Sequence, residues 1–195
     1  VRIIGLTGGI GMGKSTAAAA FRRARIPVYD ADQAVHRLQA KGGRAVPVIA
    51  AAFPGSVREG AVDRAALRKA VLGDPAALRR LEDILHPMVE AEERAFVARA
   101  RRGGKAAVVL DIPLLLETGG DARVDTVVVV SAPVAIQIHR VGLRRRMSRR
   151  DIEAVIARQM ADRDKRKRAD VVVRTGLSRH HTLLAMQRFI RELRG

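Results

Sequence analysis

The chain contains no cysteine and no tryptophan, and only one tyrosine and four phenylalanines among 195 residues. Without a thiol there is no disulfide, no zinc-thiolate centre and no cysteine nucleophile, a composition compatible with a reducing cytosol. Aromatics at 3% leave the core to Ala, Val, Leu and Ile, and they supply no stripe of rings on which single-stranded bases would stack. No apolar run approaches the ~20 residues that span a bilayer. No secretory apolar segment precedes the first strand-like residues, so a cytoplasmic chain without membrane attachment is expected.

Acidic residues are also scarce, 20 Asp and Glu against 37 Lys and Arg, for a formal charge of +17. Such an excess directs attention first to nucleic acid or a membrane surface. The basic residues are dispersed, however, as Arg22-Arg23, Arg79-Arg80, Arg101-Arg102, Arg144-Arg145-Arg146, Arg149-Arg150 and the stretch Arg163 to Arg168. That distribution fits a solvated Arg-rich surface, or arginine forks for small polyanionic substrates, better than a single nucleic-acid stripe. A hydrophobic content of 48% and this length suit one globular domain with room for an inserted subdomain.

Gly8-Gly9-Ile10-Gly11-Met12-Gly13-Lys14-Ser15 fits G-x-x-x-x-G-K-[ST] and follows the apolar run Ile3-Ile4-Gly5-Leu6. In that context a strand enters, a glycine-rich turn aims backbone N–H groups inward, and a helix beginning at Lys14-Ser15-Thr16 turns its positive dipole end to the same point. Gly9, Gly11 and Gly13 permit angles and approaches that a Cβ would block. Lys14 would reach the β and γ phosphates of a nucleoside triphosphate, and the Ser15 hydroxyl would ligate Mg²⁺.

Five short β-branched runs alternate with helical patterns: Arg2 to Leu6, Pro27 to Asp30, Ala106 to Asp111, Asp125 to Val130 and Asp170 to Arg174. Their near-continuous Val and Ile content predicts strands covered on both faces, hence an α/β fold with a five-stranded parallel sheet flanked by helices. Ligands then bind beyond the carboxyl ends of the strands, where the phosphate loop lies. From Gln33 to Gly104 no strong strand signal appears. The segment reads as an Ala-rich helical insertion with breaks at Gly42-Gly43, Pro54-Gly55, Gly73-Asp74-Pro75 and His86-Pro87. Asp74-Pro75 reads as an N-cap with Pro at the first helical position, and Ser148-Arg149-Arg150-Asp151 as a capping box. A last amphipathic helix is expected from about Arg179 to Leu193.

A phosphate loop alone leaves GTPases, motor ATPases, helicases and small-molecule kinases open. No N-K-x-D guanine-reading motif is visible, and the third strand ends in Asp111-Ile112-Pro113 with one carboxylate where a regulatory ATPase would carry a pair. The second strand ends in Asp30-Ala31-Asp32. Asp32 could cap the helix beginning near Gln33, or stand at the sheet edge beside the loop as the base for an acceptor hydroxyl. Asp111 sits where a carboxylate would help hold Mg²⁺ through water.

Together with Leu6-Thr7 ahead of the loop, His86-Pro87, Pro113-Leu114-Leu115-Leu116-Glu117, Gln137 with Arg140, Gln159 and Ala169-Asp170, these residues give the chain an end-to-end resemblance to the dephospho-coenzyme A kinase family. The resemblance implies ATP-dependent phosphorylation of the ribose 3′-hydroxyl of dephospho-CoA, the last step of coenzyme A biosynthesis, with ATP and Mg²⁺ as cofactors. It implies that Asp32 accepts the proton of the acceptor hydroxyl, and that Lys14 and Arg140 balance charge on the transferring phosphoryl group. It also assigns Gly9 to Gly13, Lys14, Ser15, Thr16, Arg144, Arg174 and Thr175 to the nucleotide. Thr7, Asp32, His86, Pro113 and Leu114 fall to the acceptor. By the same resemblance residues 1–32 and 105–195 form the nucleotide-binding core with a mobile lid at about 140–150, residues 33–104 form a helical CoA-binding insertion, and closure is expected on binding. Two departures stand out: Arg145 and Arg146 replace acidic residues often seen in the lid, and Arg174-Thr175-Gly176 stands where the family usually has Asn, a small residue and Gly near the adenine.

Other readings make different demands. A nucleoside monophosphate acceptor needs an arginine clamp and no base, so Asp32 would be dispensable. A nucleic-acid-binding ATPase, suggested by the charge, would need a recognition motif or stacking stripe that the sequence lacks. The expected partners are therefore dephospho-CoA alone, with no nucleic acid and no membrane, for a monomer or small homo-oligomer.

Overall fold

The computed structural model describes residues 1–145 and 147–193; Arg146 of the arginine-rich turn, Arg194 and Gly195 lie outside the described residues, as does the side chain of Arg145. Strand β1 (Arg2–Thr7) leads through the glycine turn into α1 (Lys14–Arg23), and β2 (Val28–Asp30) passes directly into α2 (Ala31–Gln39). There follow α3 (Val46–Ala52), β3 (Val57–Arg58), β4 (Ala61–Val62), α4 (Arg64–Val71) and the long α5 (Pro75–Arg102). The chain continues through β5 (Ala107–Asp111), a 3₁₀ turn at Gly120–Arg123, β6 (Thr126–Ser131), α6 (Val134–Arg145), α7 (Arg149–Arg158), α8 (Asp162–Lys167), β7 (Val171–Arg174) and α9 (Arg179–Glu192).

One compact unit comprises Val1–Tyr29 and Val97–Gly195. Its sheet has the order β2-β5-β1-β6-β7, with parallel registers such as Ile4↔Val109, Leu6↔Val128 and Val130↔Val173. The sheet is the expected five-stranded parallel one, and the continuous apolar runs have the expected cause. Ile4, Leu6, Val108, Val109, Val128, Val129 and Val130 are all at 0% exposure, because helices cover both faces. Phe21 of α1 and Met186, Phe189 and Ile190 of α9 join the same cluster, with the Phe21 and Phe189 rings edge to face, centroids 6.2 Å apart. Each fully buried large side chain contributes about 1.5–3 kcal/mol. The central strand, β1, delivers the glycine turn to the carboxyl edge.

The other unit, Asp30–Phe96, builds its own core from Leu38, Ala45, Val46, Ile49, Phe53, Val62, Leu67 and Ala77. Asp63 caps α4 by accepting from the Ala65 and Ala66 N–H groups, and Asp74 caps α5 by accepting from Ala76 and Ala77. The Asp74-Pro75 cap stands as expected. The hydrogen bond from Ala66 N–H is the main cause holding the Asp63 pKa below its ordinary 3.8, and that from Ala77 N–H does the same for Asp74.

Two features of this unit correct the sequence reading, and a third removes one of its two alternatives for Asp32. It is not wholly helical, since β3 and β4 form a hairpin whose register is Val57↔Val62 and Arg58↔Ala61. Glu59 and Gly60 have φ of 50° and 78°, the two positive values of a type I′ turn, but strands this short show no alternation in sequence. Pro87 breaks nothing: α5 runs through His86-Pro87 for 28 residues. An interior Pro loses one helical hydrogen bond, yet Leu81, Ile84 and Leu85 before it and Met88 and Val89 after it all pack on the unit's core, and that apolar stripe outweighs the local penalty. Finally, Asp30 caps α2, its Oδ1 accepting from Gln33 N–H at 3.0 Å. Asp32 does not.

Candidate functional site

The glycine turn between β1 and α1 has the conformation its composition demands. Gly11 and Gly13 have φ of 72° and 86°, left-handed values that L side chains rarely adopt. A Cβ on Gly11 would also lie 2.8 Å from the Gln137 carbonyl oxygen, and one on Gly9 would lie 2.8 Å from Gln159 Oε1. Gly11 is thus required by both approach and angle, whereas the atoms facing Gly9 are ends of the Gln159 and Met12 side chains. Gly13 is the N-cap of α1 without a side-chain cap, and no acidic residue occupies the first turn. The helix start therefore keeps its partial positive charge for an anion.

The loop is braced from within and from another segment. Ile10 N–H donates to Gln159 Oε1 at 3.0 Å, and Gly9 N–H donates to Met12 Sδ at 3.1 Å. Lys14 Nζ is ion-paired with Asp111 at the carboxyl end of β5, so the Asp111 carboxylate, 5% exposed, holds the ammonium at the sheet edge. Thr7, wholly buried, donates its hydroxyl to the Pro113 carbonyl at 2.9 Å and ties the end of β1 to the turn after β5. Pro113 is half-buried and Leu114 exposed, whereas Leu115 and Leu116 are buried.

On the β7 side of the loop lies a cavity of about 180 Å³ lined by Gly13, Thr16, Arg140, Arg144, Thr175, Arg179 and Thr182. Arg140, on α6, donates to the Thr175 carbonyl at 2.6 Å, to Thr175 Oγ1 at 3.1 Å and to the Gly11 carbonyl at 3.3 Å. Thr175 in turn donates its hydroxyl to the Met12 carbonyl at 2.6 Å and is 2% exposed. Arginine and threonine together clamp the last half of the phosphate loop.

The fold therefore brings Gly9 to Thr16, Arg140, Arg144 and Thr175 together, with Thr7 and Pro113 at the neighbouring strand end. Ser15 is exposed in the first turn of α1. Arg174 ends β7, exposed, and does not line the cavity. Asp32 and His86 belong to the other unit. Asp32 is exposed in the first turn of α2 and has no partner among the described residues; His86 is exposed on α5. Among the described residues no group of three or more His, Asp or Glu is placed to hold a metal ion, and no helix is long and apolar enough to cross a membrane.

Sequence reasoning left three features unassigned. Gln159 is the acceptor for a phosphate-loop amide, a role that its position 149 residues from Ile10 conceals. Lys165, 0% exposed, pairs with Glu117 Oε1 at 2.6 Å, and the same oxygen accepts from Met160 N–H at 3.2 Å. That pair anchors α8 and the residue after Gln159 to the turn following β5, although in sequence Lys165 reads as one charge in a solvated run. Arg179 and Thr182, one turn apart on α9, belong to a helix read only as packing.

Comparison with known proteins agrees with this geometry. A family model described as dephospho-CoA kinase matches residues 2–179. A dephospho-CoA kinase of Mesorhizobium japonicum is 51% identical over 193 residues, 99% of this chain and 97% of that one. The dephospho-CoA kinase of Paramagnetospirillum magneticum is 59% identical over 166 residues, 85% of this chain and 78% of that one. A crystal structure of a Thermus thermophilus protein superposes with a TM-score of 0.85 at 36% identity, covering 100% of this chain and 98% of that one.

Proposed function

Since the chain belongs to the dephospho-CoA kinase family, we infer that it carries out the family's reaction, transfer of the γ-phosphoryl group of ATP to the ribose 3′-hydroxyl of dephospho-CoA, yielding coenzyme A and ADP in the last step of coenzyme A biosynthesis. The observation that carries the reading is the phosphate loop at the carboxyl edge of a five-stranded parallel sheet, clamped by Lys14, Arg140 and Thr175.

In this reading the loop amides and the uncapped start of α1 bind the phosphate oxygens of ATP. Lys14 exchanges Asp111 for the β and γ phosphates. Arg140 offers a fork of N–H donors over the same loop, so that charge developing on the transferring group meets two fixed cations. Asp32 accepts the proton of the 3′-hydroxyl. Its exposure leaves the carboxylate accessible, and because Asp30 does the capping, Asp32 has no competing structural duty. Residues 33–104 act as the acceptor-binding insertion, with His86, Thr7, Pro113 and Leu114 contributing on the acceptor side. Residues of about 140–150 act as the lid that excludes water.

The donor set fits Mg²⁺. One hydroxyl, Ser15, and one carboxylate, Asp111, which Lys14 engages, stand at this edge, and Mg²⁺ on a nucleotide takes one or two protein ligands, with phosphate and water supplying the rest. When bound, the ion neutralises charge on the β and γ phosphates. A cytoplasmic monomer or small homo-oligomer with no nucleic-acid or membrane partner accords with dispersed charge and the absence of a stacking stripe.

Measuring ADP release with and without dephospho-CoA, for the wild type and Asp32→Asn, tests this. The wild type should turn over only with the acceptor. Asp32→Asn should lose about 10²–10⁴ in kcat while ATP binds as before. Acceptor-independent release, or a variant within fivefold of wild type, would falsify the assignment.

A further inference from the structure

Arg179 belongs to neither the phosphate loop nor the lid, yet it lines the nucleotide-side cavity. Three helices each present a one-turn pair of residues there: Gly13 and Thr16 from the start of α1, Arg140 and Arg144 from α6, and Arg179 and Thr182 from the start of α9. No carboxylate is among the lining residues. Arg140 is occupied by Thr175 and Gly11, whereas the guanidinium groups of Arg144 and Arg179 have no partner among the described residues.

The direction of the triphosphate says what these two face. Lys14, which reaches the terminal phosphates, is drawn toward β5 by Asp111. The cavity opens on the opposite side of β1, toward β7, where Thr175 follows the strand. The chain of phosphates therefore runs from the β5 side to the β7 side, and the nucleoside end enters the cavity. No ring lines the cavity, whose walls are Gly, Thr and Arg, and Phe21, Tyr29, Phe53 and Phe189 are buried. Planar guanidinium groups are the remaining flat surfaces, and arginine faces stack on bases and aromatic rings.

We propose that Arg179 is a nucleoside-holding residue that stacks on the purine of ATP through its guanidinium plane, paired with Arg144 from α6. The proposal rests on the reading of this site as the ATP site and adds to it the group that grips the base.

Isothermal titration of the full chain without acceptor, using ATP and inorganic tripolyphosphate as the two probes, tests it on wild type, Arg179→Ala and Arg179→Lys. Arg179 is exposed and caps nothing, so the variants should melt as wild type does. The expected result is a roughly three- to thirtyfold loss of ATP affinity in Arg179→Ala, tripolyphosphate affinity within twofold of wild type, and incomplete rescue by Lys, which keeps the charge and loses the plane. Unchanged ATP affinity in Arg179→Ala, an equal loss for tripolyphosphate, or full rescue by Lys would each overturn the proposal. If the wild type binds ATP but does not phosphorylate dephospho-CoA, the functional reading fails while the binding result on Arg179 stands; if ATP does not bind the wild type, both fall.

Discussion

Replacing Lys165 by Met tests how α8 is held to the turn after β5. The Lys165 ammonium is 0% exposed and lies 2.6 Å from Glu117 Oε1. Glu117 Oε2 is buried without a hydrogen-bond partner among the described residues, so loss of the ammonium would leave this carboxylate with the Met160 N–H as its donor. A solvent-exposed pair would be worth about 0–1 kcal/mol. Removing one partner of a buried pair instead strands a charge and costs about 3–5 kcal/mol, a large share of the roughly 5–15 kcal/mol that typical domains possess. At ~2–4 °C per kcal/mol for a chain of this size, the melting midpoint should fall by roughly 6–20 °C. Urea unfolding followed by far-UV circular dichroism measures the loss. The double variant Lys165→Met/Glu117→Gln keeps an acceptor for Met160 N–H while removing the stranded charge, and it should recover roughly 2 kcal/mol of that loss. A single variant destabilised by less than about 1 kcal/mol, with a double variant no better, would refute the reasoning.

Gly11→Ala should weaken ATP binding at least tenfold: the left-handed angle costs an L side chain roughly 1–2 kcal/mol, and the new methyl meets backbone of Gln137 rather than a movable side chain. Calorimetry with ATP reads this directly, and an affinity within twofold of wild type would contradict the close approach. Asp63 and Asp74 have pKa values lowered from 3.8 by capping N–H groups, so the unfolded chain binds more protons than the folded one. Their contribution to stability is complete above pH 3.8 and is lost as pH falls below it through the lowered values. Asn at both positions should flatten that part of the stability-pH curve, and an unchanged slope would count against the caps.

The sheet was legible because its signal is local. Runs such as Val127–Val130 are buried on both faces, so every position is apolar and the strand shows itself without alternation. The observed strands differ from the read ones only at their ends, as where β6 extends to Ser131. The phosphate loop was legible because its glycines answer a backbone requirement that no other residue meets. Pro87 misled because local propensity was read without the apolar stripe on either side of it. Asp30 and Asp32 could not be separated by spacing, since both stand at the start of the same helix and only the observed bond to Gln33 N–H tells which one caps it. Gln159 and Lys165 were hidden because each acts on a residue distant in sequence, and Arg179 because only the fold carries it to the cavity, so no spacing rule marks them.

The destination of the phosphoryl group is the most direct test of the whole account. With equimolar ATP and dephospho-CoA, ³¹P NMR of the reaction should show the γ-phosphate signal of ATP replaced by a phosphomonoester on the ribose 3′-oxygen, in step with ADP. Inorganic phosphate as the product, or a monoester at any other position, would contradict it.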